Sequence, residues 1–175
     1  MTLRYEHLIG RPYDESKSHD CYEIARDFYR DNFGIQLPAL ARPHAWWEQG
    51  LNLYMDHFAE NGFYVLDCPP RDWLPGDGFL MAVKSPIANH SAIYLGENQI
   101  LHHLYGRFSN VELYSGLWKR FTVAVLRHKD VKITEVERPQ LNLLDVLPEP
   151  MRSRFQEAQA AHPSTQDGYA PGSPG

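Results

Sequence analysis

Between residues 20 and 34 the apolar positions Ile24, Ala25, Phe28 and Tyr29 recur at intervals of three and four, as in an amphipathic helix. Asp20 stands where an N-cap would, Glu23 follows it by three positions as in a capping box, and Gly34 supplies a stop. A second helical pattern runs from Ala45 to Glu60, with Trp47, Leu51, Tyr54, Met55 and Phe58 along one side. Upstream, Leu3 to Ile9 predicts a short helix ending at Gly10, followed by a polar loop from Asp14 to His19. Beyond residue 62 the pattern changes. Short runs rich in β-branched and aromatic residues, at 63–66, 78–83, 90–95, 99–104 and 121–128, predict strands. Pro75-Gly76 marks a type II turn before the second strand, and Gly96-Glu97-Asn98 is a hairpin loop between the third and fourth. Tyr114 to Lys119 adds one helical turn before the last strand. Helices first and an antiparallel sheet after them define an α+β domain.

A chain of 175 residues with 43% hydrophobic content can bury one full core and carry extensions. The expected division is at residue 147: residues 1–147 form the folded domain, closed by an apolar docking segment from Leu141 to Leu147. Residues 148–175 carry a solvated helix from Arg152 to Ala161 and a mobile tail from Pro163 rich in Pro, Gly, Ser and Thr. The net charge of −5, with no dense Lys/Arg run, argues against a nucleic-acid ligand. No apolar run reaches transmembrane length and the first six residues lack a signal-peptide core, so neither a membrane anchor nor export by the usual route is expected. Cys21 and Cys68, without a CxxC pair, support neither a disulfide scaffold nor a structural zinc; no metal or cofactor is called for.

Chemistry concentrates around Cys21. On the first turn of its helix the thiol would lie among unpaired backbone N–H groups at the positive end of the macrodipole, which favours the thiolate and lowers its pKa. A thiolate nucleophile needs a base, and the base needs an orienting group. His90 opens a predicted strand, and His102 and His103 close the next. A histidine from each strand can meet on one face, in a row with the thiol: His90 takes the thiol proton and returns it to the leaving amine, and the second histidine fixes its tautomer. The backbone N–H of Cys21 and the Tyr13 hydroxyl would receive the oxyanion. Register selects the second histidine. A two-residue turn at Glu97-Asn98 pairs Ala92 with His103, whereas a three-residue loop, Gly96-Glu97-Asn98, pairs Ala92 with His102. The two-residue turn needs positive φ at Glu97, which is unfavourable, so His102 is expected.

Gly10-Arg11-Pro12-Tyr13, Asp20-Cys21, Pro75-Gly76-Asp77, His90-x-x-Ile93-Tyr94-Leu95-Gly96 and Ile100-Leu101-His102 occur in an order that resembles the NlpC/P60 family of papain-like cysteine peptidases. The resemblance covers about residues 5 to 128 and implies the family's papain-like α+β fold, with N-terminal helices packed on a central antiparallel sheet. It implies Cys21, His90 and His102 as catalytic residues, and Tyr13 and Asp20 as oxyanion or substrate contacts. Asp20-Cys21 through Gly34-Ile35-Gln36-Leu37-Pro38 is most similar to the tail-assembly branch of long-tailed bacteriophages. That branch implies a virion tail-tip protein made in the bacterial cytoplasm, with cell-wall stem peptide as substrate and other tail-tip proteins as partners. Some phage relatives carry an extra N-terminal metalloprotease-like domain, and that activity is not expected here. Tyr22-Glu23 stands where many relatives have Ser-Gly, and Asp14-Glu15-Ser16 where Trp-Gly-Gly is usual; both changes border the cleft. The alternatives are a tail-tip structural protein with a vestigial site, an acyltransferase or amidase on lipid substrates, and a metal site built from cysteines and histidines.

Overall fold

The computed structural model describes residues 2–14, 19–133 and 153. Met1–Glu135 forms one compact unit. The expected docking segment, solvated helix and tail lie outside the described residues, apart from Ser153. Six antiparallel strands make a single sheet: β1 (Phe63–Val65), β2 (Gly78–Met81), β3 (His90–Gly96), β4 (Gln99–His102), β5 (Asn110–Leu113) and β6 (Thr122–His128), in the order β1-β6-β2-β3-β4-β5. The β5 strand was not expected from the sequence. Its alternation is weak, and three of its four residues are exposed.

The first helix, α1 (Cys21–Phe33), has the expected ends. Asp20 Oδ1 accepts from the N–H groups of Tyr22 and Glu23 at 3.0 and 3.1 Å, and Gly34 stops the helix in the left-handed region at φ 68°. The reciprocal half of a capping box is not made; the Glu23 carboxylate turns instead to Arg26 at 2.7 Å. The predicted helix from Ala45 to Glu60 contracts to α2 (Leu53–His57), because Ala45 and Gly50 take positive φ values of 47° and 74° and interrupt it. The N-terminal helix is a single 3-10 turn, Glu6–Leu8, and α3 (Gly116–Phe121) precedes β6.

Alternation of side chains gives the sheet two covered faces. Ile93 of β3 and Leu101 of β4 pack on Ile24, Ala25, Phe28 and Tyr29 of α1, with Leu8 and Leu37 closing the edge. On the opposite face Phe79, Met81, Ala92 and Ile100 are covered by Trp73, Tyr114, Trp118 and Phe121. The N-terminal strap is tied to the β4–β5 connection: Gly10 N–H donates to the Ser109 carbonyl at 2.8 Å, Ser109 N–H to the Arg11 carbonyl at 3.0 Å, and Ser109 Oγ to the Leu8 carbonyl at 2.6 Å. That anchorage carries Tyr13 toward the N-terminus of α1.

Asp77 follows the Pro75-Gly76 turn and is fully buried. Its carboxylate receives Arg127 of β6 bidentately, at 2.7 and 2.9 Å, and the Leu74 N–H at 2.7 Å. Removing the carboxylate leaves the guanidinium with only the Asp72 carbonyl, 3.2 Å from Nη2, as its acceptor. Asp77→Ala should therefore destabilise the fold by about 3–5 kcal/mol, read as a lowered urea midpoint, while the Asp77→Ala, Arg127→Met double variant should recover part of that loss.

Candidate active site

The hairpin between β3 and β4 positions two imidazoles. Ala92 pairs with His102, but through neither of the connections considered from sequence. Gly96 pairs with Gln99 across a two-residue turn, and both Glu97 and Asn98 adopt positive φ, 48° and 61°, as a type I′ turn requires. A bulge at Leu95 then adds one residue to β3, which restores His102 to the face of His90. The disfavoured φ at Glu97 is thus accepted, and the bulge sets the register. His90 Nε2 lies 3.0 Å from His102 Nδ1. His103 points to the opposite face, donates from Nε2 to the Arg107 carbonyl at 3.1 Å and meets the Tyr13 ring edge-on at 5.4 Å.

The pair is enclosed by residues from β5 and α3. Ile100 faces Glu112 across the β4–β5 ladder, so Glu112 shares the face of His102, and its Oε1 lies 3.4 Å from His102 Nε2. The Trp118 indole N–H donates to Glu112 Oε2 at 3.0 Å, and its ring centroid lies 4.5 Å from that of His102 and 6.1 Å from that of His90. Burial, reinforced by His102 and His103, pushes the His90 pKa down to about 3. Burial also lowers that of His102, with Glu112 acting against it.

Cys21 is the first residue of α1 and reaches β3 through the backbone of Ser91, the neighbour of His90. Its thiol is hydrogen-bonded to the Tyr54 hydroxyl at 3.2 Å, not to an imidazole. The expected row of thiol and two imidazoles is therefore brought together only in part: His90 and His102 touch, and the sulfur is held by α2. His90 projects from the sheet face opposite α1, whereas its neighbour Ser91 lies on the α1 side. The thiol pKa is raised, first by burial and then by the Asp20 charge, against the Tyr54 hydrogen bond. This reverses the expectation from the helix N-terminus: loss of hydration outweighs the macrodipole here.

Asp20 is committed on both oxygens. Oδ1 caps α1, and Oδ2 receives Arg42 Nε and Nη2 at 3.0 and 2.7 Å. The Arg42 side chain is half-buried and lies over the Tyr22 ring at 4.8 Å. The cap is made to the Tyr22 and Glu23 N–H groups and leaves the Cys21 N–H out. Tyr13, Asp20, Cys21, Arg42, Trp46, Trp47, Tyr54 and Asn89 line one cleft at this point. Both tryptophans therefore border Cys21, Trp46 from a buried position. Arg42, Glu112 and Trp118 were not singled out from sequence as site residues; only the unpredicted β5 strand could have pointed to Glu112.

The model of the NlpC/P60 family matches residues 10–127. Tail tip assembly protein K of Escherichia phage lambda is 37% identical over 123 residues, covering 70% of this chain and 60% of that protein. The protein of the same name from Escherichia phage N15 is 36% identical over 133 residues, covering 75% of this chain and 53% of that protein. The chain thus spans little more than half the length of these relatives. Among solved structures, a lipoprotein-like protein of the NLP/P60 family from Staphylococcus aureus aligns over 70% of this chain and 38% of its own, at 20% identity and a TM-score of 0.46.

The depressed His90 pKa has a consequence for stability. Between its unfolded value and about 3 the unfolded chain binds a proton that the folded chain refuses, so this contribution is complete above about pH 6.5 and lost as pH falls. One such group gives a slope of up to about 1.4 kcal/mol per pH unit. Urea unfolding at pH 6.5 and 4.5 should show a smaller loss on acidification in His90→Gln than in the wild type.

Proposed function

The chain belongs to the NlpC/P60 family, and from that premise we propose that it is a bacteriophage tail-tip assembly protein with a cysteine endopeptidase site for cell-wall stem peptides. The observation that carries this reading is the 3.0 Å imidazole pair on strands β3 and β4, one residue from the strand position that meets Cys21. In this reading Cys21 is the nucleophile, His90 the base and His102 its orienting partner. Sγ leaves Tyr54 and gives its proton to His90 Nδ1 as substrate enters. The sulfur attacks the scissile carbonyl carbon, and the Cys21 N–H and Tyr13 hydroxyl receive the oxyanion. Collapse expels the amine, which takes the proton from His90 and leaves a thioester. Water then attacks the thioester with His90 as base, releasing the carboxylic acid and restoring the thiol. Asp20, held by Arg42, borders the substrate path. The protein acts at the virion tail tip against the cell wall, beside other tail-tip proteins.

A second reading, a structural tail-tip protein with a silent site, is favoured by one observation. The thiol is buried and hydrogen-bonded to Tyr54 rather than poised on His90, and burial raises its pKa. Digestion of purified stem-peptide fragments separates the two. The wild type should release new termini identified by mass spectrometry, and Cys21→Ala should abolish them with folding intact; hydrolysis unchanged in Cys21→Ala would remove the cysteine assignment. With one peptide substrate, His102→Ala should lower kcat/KM by about a hundredfold or more. His103→Ala should act mainly through stability, since its ring holds the Arg107 carbonyl on the other face. The reverse ranking in folded variants would exchange their roles.

A further inference from the structure

We infer that Glu112, on the edge strand β5, is a positioning residue that fixes the tautomers of both active-site imidazoles. The inference deepens the reading of His90 as base and rests on it for its meaning, but its geometry is independent of any activity. An ionised carboxylate only accepts hydrogen bonds. The Trp118 N–H occupies Oε2, which leaves Oε1 facing His102 Nε2 at 3.4 Å. That separation is long for an N–H···O bond, as such contacts often are before substrate arrives. Only a protonated Nε2 satisfies it; a bare ring nitrogen would set a lone pair against a carboxylate.

The proton count then runs along the chain of groups. A neutral His102 with its proton on Nε2 presents a lone pair at Nδ1. His90 Nε2, 3.0 Å away, must donate to it, and His90 therefore carries its lone pair on Nδ1. That nitrogen is the one left to take the thiol proton. With the opposite tautomers, Nδ1 of His90 holds a hydrogen and cannot act as base. Three strands contribute one residue each on one face, and the last decides the state of the first. The groups that bear on His102 are His90 from β3, Glu112 from β5, Trp118 from α3 and its neighbour His103, just past the end of β4. Trp118 serves twice: it consumes one carboxylate oxygen, and its ring covers the imidazole pair.

The test reads the tautomers directly. Nitrogen NMR of the full chain labelled at histidine should show Nε2–H forms for both His90 and His102. In Glu112→Gln the single carbonyl oxygen is taken by Trp118, so the amide N–H₂ faces His102 and its Nδ1–H form should appear. Alkylation of Cys21 by iodoacetamide should slow by about tenfold or more in the same variant. Glu112→Asp, which keeps two acceptor oxygens, should recover the wild-type tautomer in part. Glu112 is 43% exposed at its side chain, so these variants are expected to fold. An Nδ1–H form of His102 in the wild type, tautomers unchanged in Glu112→Gln, or a flipped tautomer with undiminished alkylation would each overturn the inference. Expected tautomers in a protein that leaves stem peptides intact would uphold it and count only against the peptidase reading.

Discussion

The pairing of Ala92 with His102 is the constraint on which the candidate site depends. Side chains alternate along a strand, so a slip of one residue would turn His102 away and present His103 instead. The register is set by local devices that work against each other. A tight turn at Glu97-Asn98 alone would select His103, and the bulge at Leu95 reverses that choice. The same ladder continues to β5, where Ile100 faces Glu112. One register therefore fixes the imidazole pair and the carboxylate behind it.

Burial sets the resting chemistry. The thiol is pushed up by desolvation and by Asp20, and the His90 imidazole is pushed down, so both groups rest in their neutral forms. Arg42 offsets the Asp20 charge from a half-buried position while Asp20 caps α1. Such an arrangement keeps no thiolate–imidazolium pair in waiting. Reaction would begin when substrate loosens the Tyr54 hydrogen bond and brings Sγ to the unoccupied side of His90. The family's chemistry and the silent-site reading differ at this single step.

Much of this arrangement was legible in the sequence because it rests on local rules. Asp20 and Gly34 bounded α1, and Pro75-Gly76 gave the turn, with Gly76 at φ 93° and the Asp77 N–H bonded to the Leu74 carbonyl at 3.0 Å. The choice of His102 over His103 reached the observed pairing through the wrong connection, since a bulge leaves no mark in residue type. The helix expected from Ala45 to Glu60 failed where Gly50 and Ala45 break the backbone, and its apolar stripe is only partly buried: Tyr54 lies in the core beside Cys21, whereas Leu51 is exposed and the buried tryptophan, Trp46, is off that stripe. β5 was missed because an edge strand with exposed side chains carries little alternation, and Glu112 was missed with it. The thiol pKa went the other way because helix position is visible in sequence and burial is not.

In the proposed mechanism Cys21 and His90 form one reactive unit once the thiol leaves Tyr54. The most direct measurement is a crystal structure of the protein with a peptide aldehyde whose carbonyl carbon bonds Cys21 Sγ as a hemithioacetal. The proposed mechanism predicts the Sγ–Tyr54 bond broken, His90 Nδ1 within hydrogen-bond reach of the adduct and the adduct oxygen on the Cys21 N–H. An adduct with Tyr54 still at the sulfur and His90 out of reach would contradict it, as would an adduct formed at Cys68 alone.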